Sequence, residues 1–236
     1  MRPGCRGQPG LITDYRMESR RFSLPSQRNY EYAYAQAYEL AAAELAKIKD
    51  IAQQCRRCGA EYREIASRKI IILQYLNRSY QITLPHVEVT LAGSREVVPL
   101  KTKVLLLHYL IRAKGTPLSG TMITFKELPE GASYFPTFAK RTLNPLTTNF
   151  GGEPERLTGV ARVLSGRPAD YGDVAITVSA FPYVPLVLVL WRGDSEFAPA
   201  SSILFDATVT DYLPTEDIII TCEATVWALV KALRQG

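Results

Sequence analysis

The chain has 236 residues, 47% of them hydrophobic and 10% aromatic, with four cysteines and a formal charge of +5 from 28 basic and 23 acidic side chains. A chain of this length buries a core without disulfides or metal, and the composition excludes a disordered polymer, a collagen and a cysteine-rich secreted scaffold. Charge is uneven along it: residues 29–169 hold 19 basic and 12 acidic groups, whereas 170–223 hold nine acids and only Arg192. That division suits pairing between halves, or an acidic surface at one end, better than a phosphate-binding face, so nucleic acid is not an expected partner.

Residues 1–28 carry six arginines among Pro3, Gly4, Gly7, Pro9, Gly10 and Pro25, with no sustained apolar period, and read as a disordered basic leader. Either Met1 or Met17 serves as a start. No apolar run of a secretory signal follows the arginines, and the longest apolar stretch, Phe181 to Trp191, is too short for a membrane helix and broken by Pro182 and Pro185. A cytoplasmic protein without a membrane partner is the expectation.

A single α+β domain is expected over residues 29–236. Asn29 is an N-cap candidate for one long amphipathic helix, whose stripe of Tyr34, Tyr38, Ala41, Leu45, Ile48, Ala52 and Cys55 runs on to a C-terminal cap at Gly59. The period then shortens: KIIILQYL and SYQITLP read as a hairpin turning at Asn77-Arg78, and HVEVTL as a third strand. A second helix opens at Pro99 or Leu100 and stops at Lys114-Gly115. Turns at Pro129-Glu130-Gly131 and Gly151-Gly152 bracket a helix between Phe135 and Phe150, and EPERLTGVARVL continues as another. GDVAITVSAF, PLVLVLW and SSILFD are too short for helices, are rich in β-branched residues and read as strands. Pro214 starts a closing helix with Glu216 and Asp217 early and Lys231 and Arg234 late, as the helix dipole prefers. The expected fold is α+β, a mostly antiparallel sheet with long N- and C-terminal helices packed on it.

Chemistry is constrained first by what the sequence lacks. His86 and His108 are the only histidines, so no HExxH pair and no three-histidine zinc site exists, and GxxxxGK[ST], GxGxxG and GxSxG are missing. No catalytic constellation is recognisable. Cys55 and Cys58 form a CxxCG turn, a weak metal candidate because no second pair accompanies it and because Cys55 continues an apolar stripe. His108 lies between Val104, Leu107 and Ile111, as a core histidine or an axial ligand would. The densest cluster is WRGDSEFAPASSILFD: Asp194, Glu196 and Asp206 would converge near one sheet edge if the flanking strands form a hairpin. Such carboxylates share a proton, bind a cation or hold an arginine, or else serve as turn, cap and ion pair.

LLLHYLIRAKGTPLSGTMITFKELPEGASYF, RTLNPLTTNFGG, GDVAITVSAFPYVPLVLVLWRGDSEFAPASSILFD and LPTEDI, after the AYAQAYELAAAELA helix, resemble an uncharacterised prokaryotic domain family of unknown function over residues 29–234. In that family the domain resembles the rear part of proteins whose front is an iron-sulfur module of the corrinoid iron-sulfur protein type, in anaerobes using one-carbon or corrinoid metabolism. This chain has no four-cysteine module. The resemblance implies a ligand- or cofactor-binding accessory domain, a corrinoid or other tetrapyrrole being the cofactor class it suggests. Its pocket would have Tyr134, Phe135, Trp191 and Phe197 as walls, Glu127, Asp194, Glu196 and Asp206 as polar fixings and His108 as a ligand. The alternative is a non-catalytic interaction domain that docks an iron-sulfur or methyltransferase partner through its polarised charge.

Overall fold

The structure, a computed structural model, describes residues 27–66 and 68–235. The leader lies outside the described residues, apart from its last two positions, which already belong to the first helix. The chain is α+β with two antiparallel sheets. Helices α1 (Gln27–Ala46) and α2 (Ile51–Cys58) precede a meander of β1 (Glu61–Ile65), β2 (Arg68–Tyr75), β3 (Arg78–Leu84) and β4 (Glu88–Leu91), paired in chain order. Helix α3 (Leu100–Arg112) leads to β5 (Met122–Thr124), then to α4 (Gly131–Phe138), α5 (Asn144–Phe150) and α6 (Glu155–Ala161). Strands β6 (Arg167–Ala169), β7 (Val174–Phe181), β8 (Val184–Trp191) and β9 (Ala200–Asp206) complete a second sheet of order β5-β9-β8-β7-β6, and α7 (Thr215–Gln235) closes the chain.

Three local features differ from the sequence reading. The expected single N-terminal helix is two: Lys47 and Ile48 close the end of α1 onto Glu44 and Leu45, and the Asp50 side chain accepts the Gln53 N–H at 2.8 Å to cap α2. The apolar stripe runs unbroken across this joint, so periodicity alone hides it; Gly59, with φ 67°, does cap α2. The hairpin turns one residue earlier than expected, at Leu76 (φ 47°) and Asn77 (φ 59°), with Tyr75 facing Arg78. A leucine is costly in this left-handed conformation, and its N–H donates to Ala180 O of β7 at 2.9 Å, tying one sheet to the other. The short strands β1, β5 and β6 carry no apolar alternation and are visible only through their partners.

Helices α4 and α5 form one rod interrupted by a wide π-turn at Ala139–Leu143. Pro145 accounts for it, since proline cannot donate to the Arg141 carbonyl four residues back and its ring presses on that group. One face of the five-stranded sheet packs into the main core: Ile176, Val178, Leu186, Leu188, Leu190, Ile203 and Phe205 share it with buried residues of α3, α7 and the α4–α5 rod, and α6 lies against β7. At about 1.5–3 kcal/mol per fully buried side chain, this face and its helices dominate the favourable burial. Tyr109 of α3 stacks on Phe181 at 4.1 Å and donates its hydroxyl to Cys58 O at 2.9 Å, binding α2, α3 and β7 together. The N-terminal helix packs chiefly along α3, and its Tyr38 hydroxyl donates to Val87 O just before β4 at 2.8 Å.

Candidate functional site

The antiparallel register decides where the predicted carboxylates go. Trp191 pairs with Ala200, whereas Asp206 is six residues further along β9, beside the Met122 end of β5. At ~3.3 Å per residue those positions lie about 20 Å apart, so Asp206 does not join Asp194 and Glu196. A hairpin brings its turn residues together and carries the end of the returning strand away. The expected convergence is therefore corrected.

Asp206 is 2% exposed. Its Oδ1 accepts the Ser119 N–H and hydroxyl at 3.1 and 3.0 Å and the Thr208 N–H and hydroxyl at 3.0 and 2.7 Å, and its Oδ2 accepts the Gly120 N–H at 2.7 Å. Burial works against ionisation, but the donors of Thr208, Ser119 and Gly120 bring the carboxyl down to about 2. Both oxygens are engaged in joining two loops. Glu127 is exposed and serves a local role: its Oε2 accepts the Thr124 N–H and hydroxyl at 2.7 and 2.8 Å, a capping box whose hydrogen bonds lower the Glu127 pKa. Tyr134 and Phe135 are half-buried against the main core, with the Lys126 ammonium 4.3 Å above the Phe135 ring.

His108 is half-buried on α3 and its Nδ1 lies 2.7 Å from Asp217 Oδ2 in the first turn of α7. Asp217 is 5% exposed. One turn and a half further along α7, Glu223 accepts Arg141 Nε and Nη2 at 3.2 and 2.6 Å and Lys101 Nζ at 2.6 Å. Burial opposes the charge on Glu223, yet the hydrogen bonds of Arg141 and then Lys101 hold its pKa below the usual carboxylate value. Sequence reasoning named His108 and missed Asp217, Glu223, Arg141 and Lys101. The available signal was Glu223 itself, a charge inside the apolar run of α7; the π-turn that aims Arg141 at it had none.

Cys55 and Cys58 are both buried. Burial pushes the Cys55 thiol up to about 11 and the Cys58 thiol up to about 12, and Cys58 Sγ donates to Cys55 O at 3.3 Å. A metal-ready pair has the opposite tendency, thiolates favoured by neighbouring cations. Among the described residues no group of three or more His, Cys, Asp and Glu is placed to hold a metal ion.

Asp194, Glu196, Phe197 and Trp191 do share one end of the five-stranded sheet. Asp194 Oδ1 accepts the Glu196 and Phe197 N–H groups at 2.8 and 2.7 Å, which lowers its pKa and makes the expected turn. The neighbouring β6–β7 loop adds Asp170, Tyr171 and Asp173, and Asp173 accepts the Arg192 N–H at 2.7 Å. The α5–α6 turn adds Glu153 and the start of α6 adds Glu155, which takes the Arg192 guanidinium. Glu196, expected to pair with an arginine, has no ion-pair partner among the described residues. Tyr171, Trp191 and Phe197 are 42%, 41% and 70% exposed in this acidic setting.

Trp191 also belongs to the sheet face opposite the main core. That face carries a separate apolar cluster: Ala175, Val187 and Val189 are buried and Met122, Ala169 and Leu204 are half-buried around them. The register pairs Ala175 with Val189 and Val187 with Leu204, so these side chains stand together. Among the described residues, no helix contributes an apolar side chain to the cluster. β8 is apolar on both faces, and on this one Val187 and Val189 are only 3% and 1% exposed, so the accessible apolar area lies around them, on Trp191 and half-buried Met122, Ala169 and Leu204.

A family model described as Domain of unknown function (DUF3786) matches residues 50–227, from the N-cap of α2 to the last turns of α7. No curated protein and no solved structure matches the chain.

Proposed function

The chain belongs to this family of domains of unknown function, and on that premise we propose that it is a non-catalytic interaction domain, docking a protein partner on the rear face of the five-stranded sheet. The observation that carries the reading is exposed Trp191 at the edge of a sheet face on which half-buried Met122, Ala169 and Leu204 surround buried Ala175, Val187 and Val189. Aromatic anchors beside a small apolar centre are the usual make-up of an interface core, and charge at its rim steers the encounter. Asp170, Asp173, Asp194 and Glu196 supply a negative rim, so the partner carries an apolar patch edged with lysine or arginine. In keeping with the sequence resemblance, we assign that partner to the iron-sulfur or methyltransferase proteins of corrinoid-linked one-carbon metabolism, in the cytoplasm. The ligand-binding alternative built on Glu127, Tyr134, Phe135, His108 and Asp206 has less support, because those side chains cap loops, pack the core or pair with Asp217 and do not share a pocket with Asp194, Glu196 and Phe197.

A photo-crosslinking residue at Leu204, installed in the full chain in its native host, tests the reading, with exposed Tyr32 of α1 as the control position. A single heterologous adduct at Leu204, absent at Tyr32 and weakened by salt, is expected. Adducts only between copies of the chain, or none, overturn it.

A further inference from the structure

A second feature is built from α1, α2, β2 and β3, shares no residue with the docking face and is independent of it. Where α1 ends and α2 begins, Leu45, Ala46, Ile48 and Ile51 face Leu84 and Pro85 at the end of β3 across a slot of about 230 Å³. Ile48 lies in the joint itself and Ile51 opens α2, so the slot's helical wall spans the break at Asp50. Lys69 of β2 lines the same slot. Its ammonium makes no ion pair with any described residue. Glu64, which faces Lys69 across the β1–β2 ladder, instead accepts the Tyr62 hydroxyl at 2.9 Å.

We propose that the slot between the α1–α2 joint and the end of β3 binds a small aliphatic monocarboxylate, its chain against Leu45, Ile48, Ile51 and Leu84 and its carboxylate on Lys69. The walls suit a hydrocarbon chain because every lining side chain except that of Lys69 is apolar, and burying a chain against them removes its apolar area from water. A cation would meet the ammonium of Lys69 as a like charge. An uncharged alcohol would gain the walls without the ion pair. The carboxylate gains both, and in a half-buried setting the charge-assisted contact is stronger than on open surface.

Methyl NMR of the full chain titrated with butanoate, hexanoate and octanoate tests this, alongside hexanol and hexylamine. Leu45, Ile48, Ile51 and Leu84 methyl signals are expected to shift together, with affinity rising about fourfold per added methylene until the slot is full. Lys69→Met should weaken hexanoate about tenfold and leave hexanol unchanged. Ile48→Phe, which fills the slot, should abolish both while the remaining methyl spectrum stays native. Equal binding of hexanoate, hexanol and hexylamine, or shifts that survive Ile48→Phe, overturn the proposal. Unmoved wall methyls at saturating octanoate overturn it as well.

Discussion

The two ends of the β8–β9 hairpin hold carboxylates that look alike in the sequence and do opposite work. At one end Asp206 is buried and gives both oxygens to five donors from Ser119, Gly120 and Thr208. At the other, Asp194 shapes its own turn and leaves Glu196, Trp191 and Phe197 in solvent. A carboxylate that satisfies the backbone of two loops is part of the fold, whereas acids beside exposed aromatics leave chemistry free for something outside the chain. Proximity in sequence says nothing about this distinction. Register does.

The largest effect should come from Asp206→Ala, which leaves three backbone N–H groups and two hydroxyls without their acceptor. A destabilisation of about 3–5 kcal/mol is expected in denaturant melts, from several unmet donors at 1–3 kcal/mol each with partial relaxation into water. A loss below ~1 kcal/mol would erase the contrast between the two ends. The pH dependence sharpens it. The folded Asp206 pKa is depressed to about 2, so its contribution is complete above the unfolded value near 3.9 and is lost as pH falls towards 2. That loss is about 2–3 kcal/mol, and Asp206→Asn should remove this acid limb from a stability profile measured between pH 5 and 2.

Glu223 is the intermediate case, half-buried and ion-paired. Arg141→Met removes two of its three hydrogen bonds and should cost about 1–2 kcal/mol, less than for Asp206 because Lys101 and solvent remain. The Glu223 carboxyl pKa should rise at the same time, which a carbon-detected titration reads directly. An unchanged pKa would mean that Arg141 does not set this charge.

Much of this fold is legible in the residues. The β7, β8 and β9 runs, the Gly59 cap and the helix after Pro214 follow from pattern, because local sequence and tertiary burial demand the same thing there. The α1–α2 joint is illegible because one apolar stripe serves both helices, and the Leu76–Asn77 turn because its strain is compensated by Ala180, more than a hundred residues away. The candidate residues divide similarly. Trp191, Asp194, Glu196 and Phe197 are adjacent in sequence and share one end of the sheet. Asp206, Glu127 and His108 could be placed only by knowing strand register, the Thr124 cap and the approach of Asp217. The rear-face cluster was written into β8 as PLVLVLW, whose unbroken apolar character already asks for cover on both sides.

Asp194→Asn combined with Glu196→Gln tests the exposed end without disturbing the buried one. The side-chain amide oxygen introduced by Asp194→Asn still accepts the two N–H groups of the turn, so the melting curve should be nearly superimposable on that of the parent chain. Association with the partner identified by crosslinking should slow about tenfold at low salt, and the difference should shrink as salt is added, since rim charges act mainly on the encounter. Loss of folding would instead assign these acids to the scaffold, alongside Asp206.

Phe197→Ser carries the smallest expected change in stability and the sharpest separation of roles. The ring is 70% exposed and its backbone N–H is already held by Asp194, so removing it takes little from the fold. The cost should stay within about 0.5 kcal/mol, the range of surface substitutions away from buried or capping groups. Docking should respond quite differently: an exposed ring at the Trp191 end of the sheet has apolar area to lose when a partner covers it, and dissociation should accelerate with little change in the association rate. A ring that served only to shield the 192–199 loop would give the reverse pattern, a lower midpoint in denaturant and unchanged dissociation.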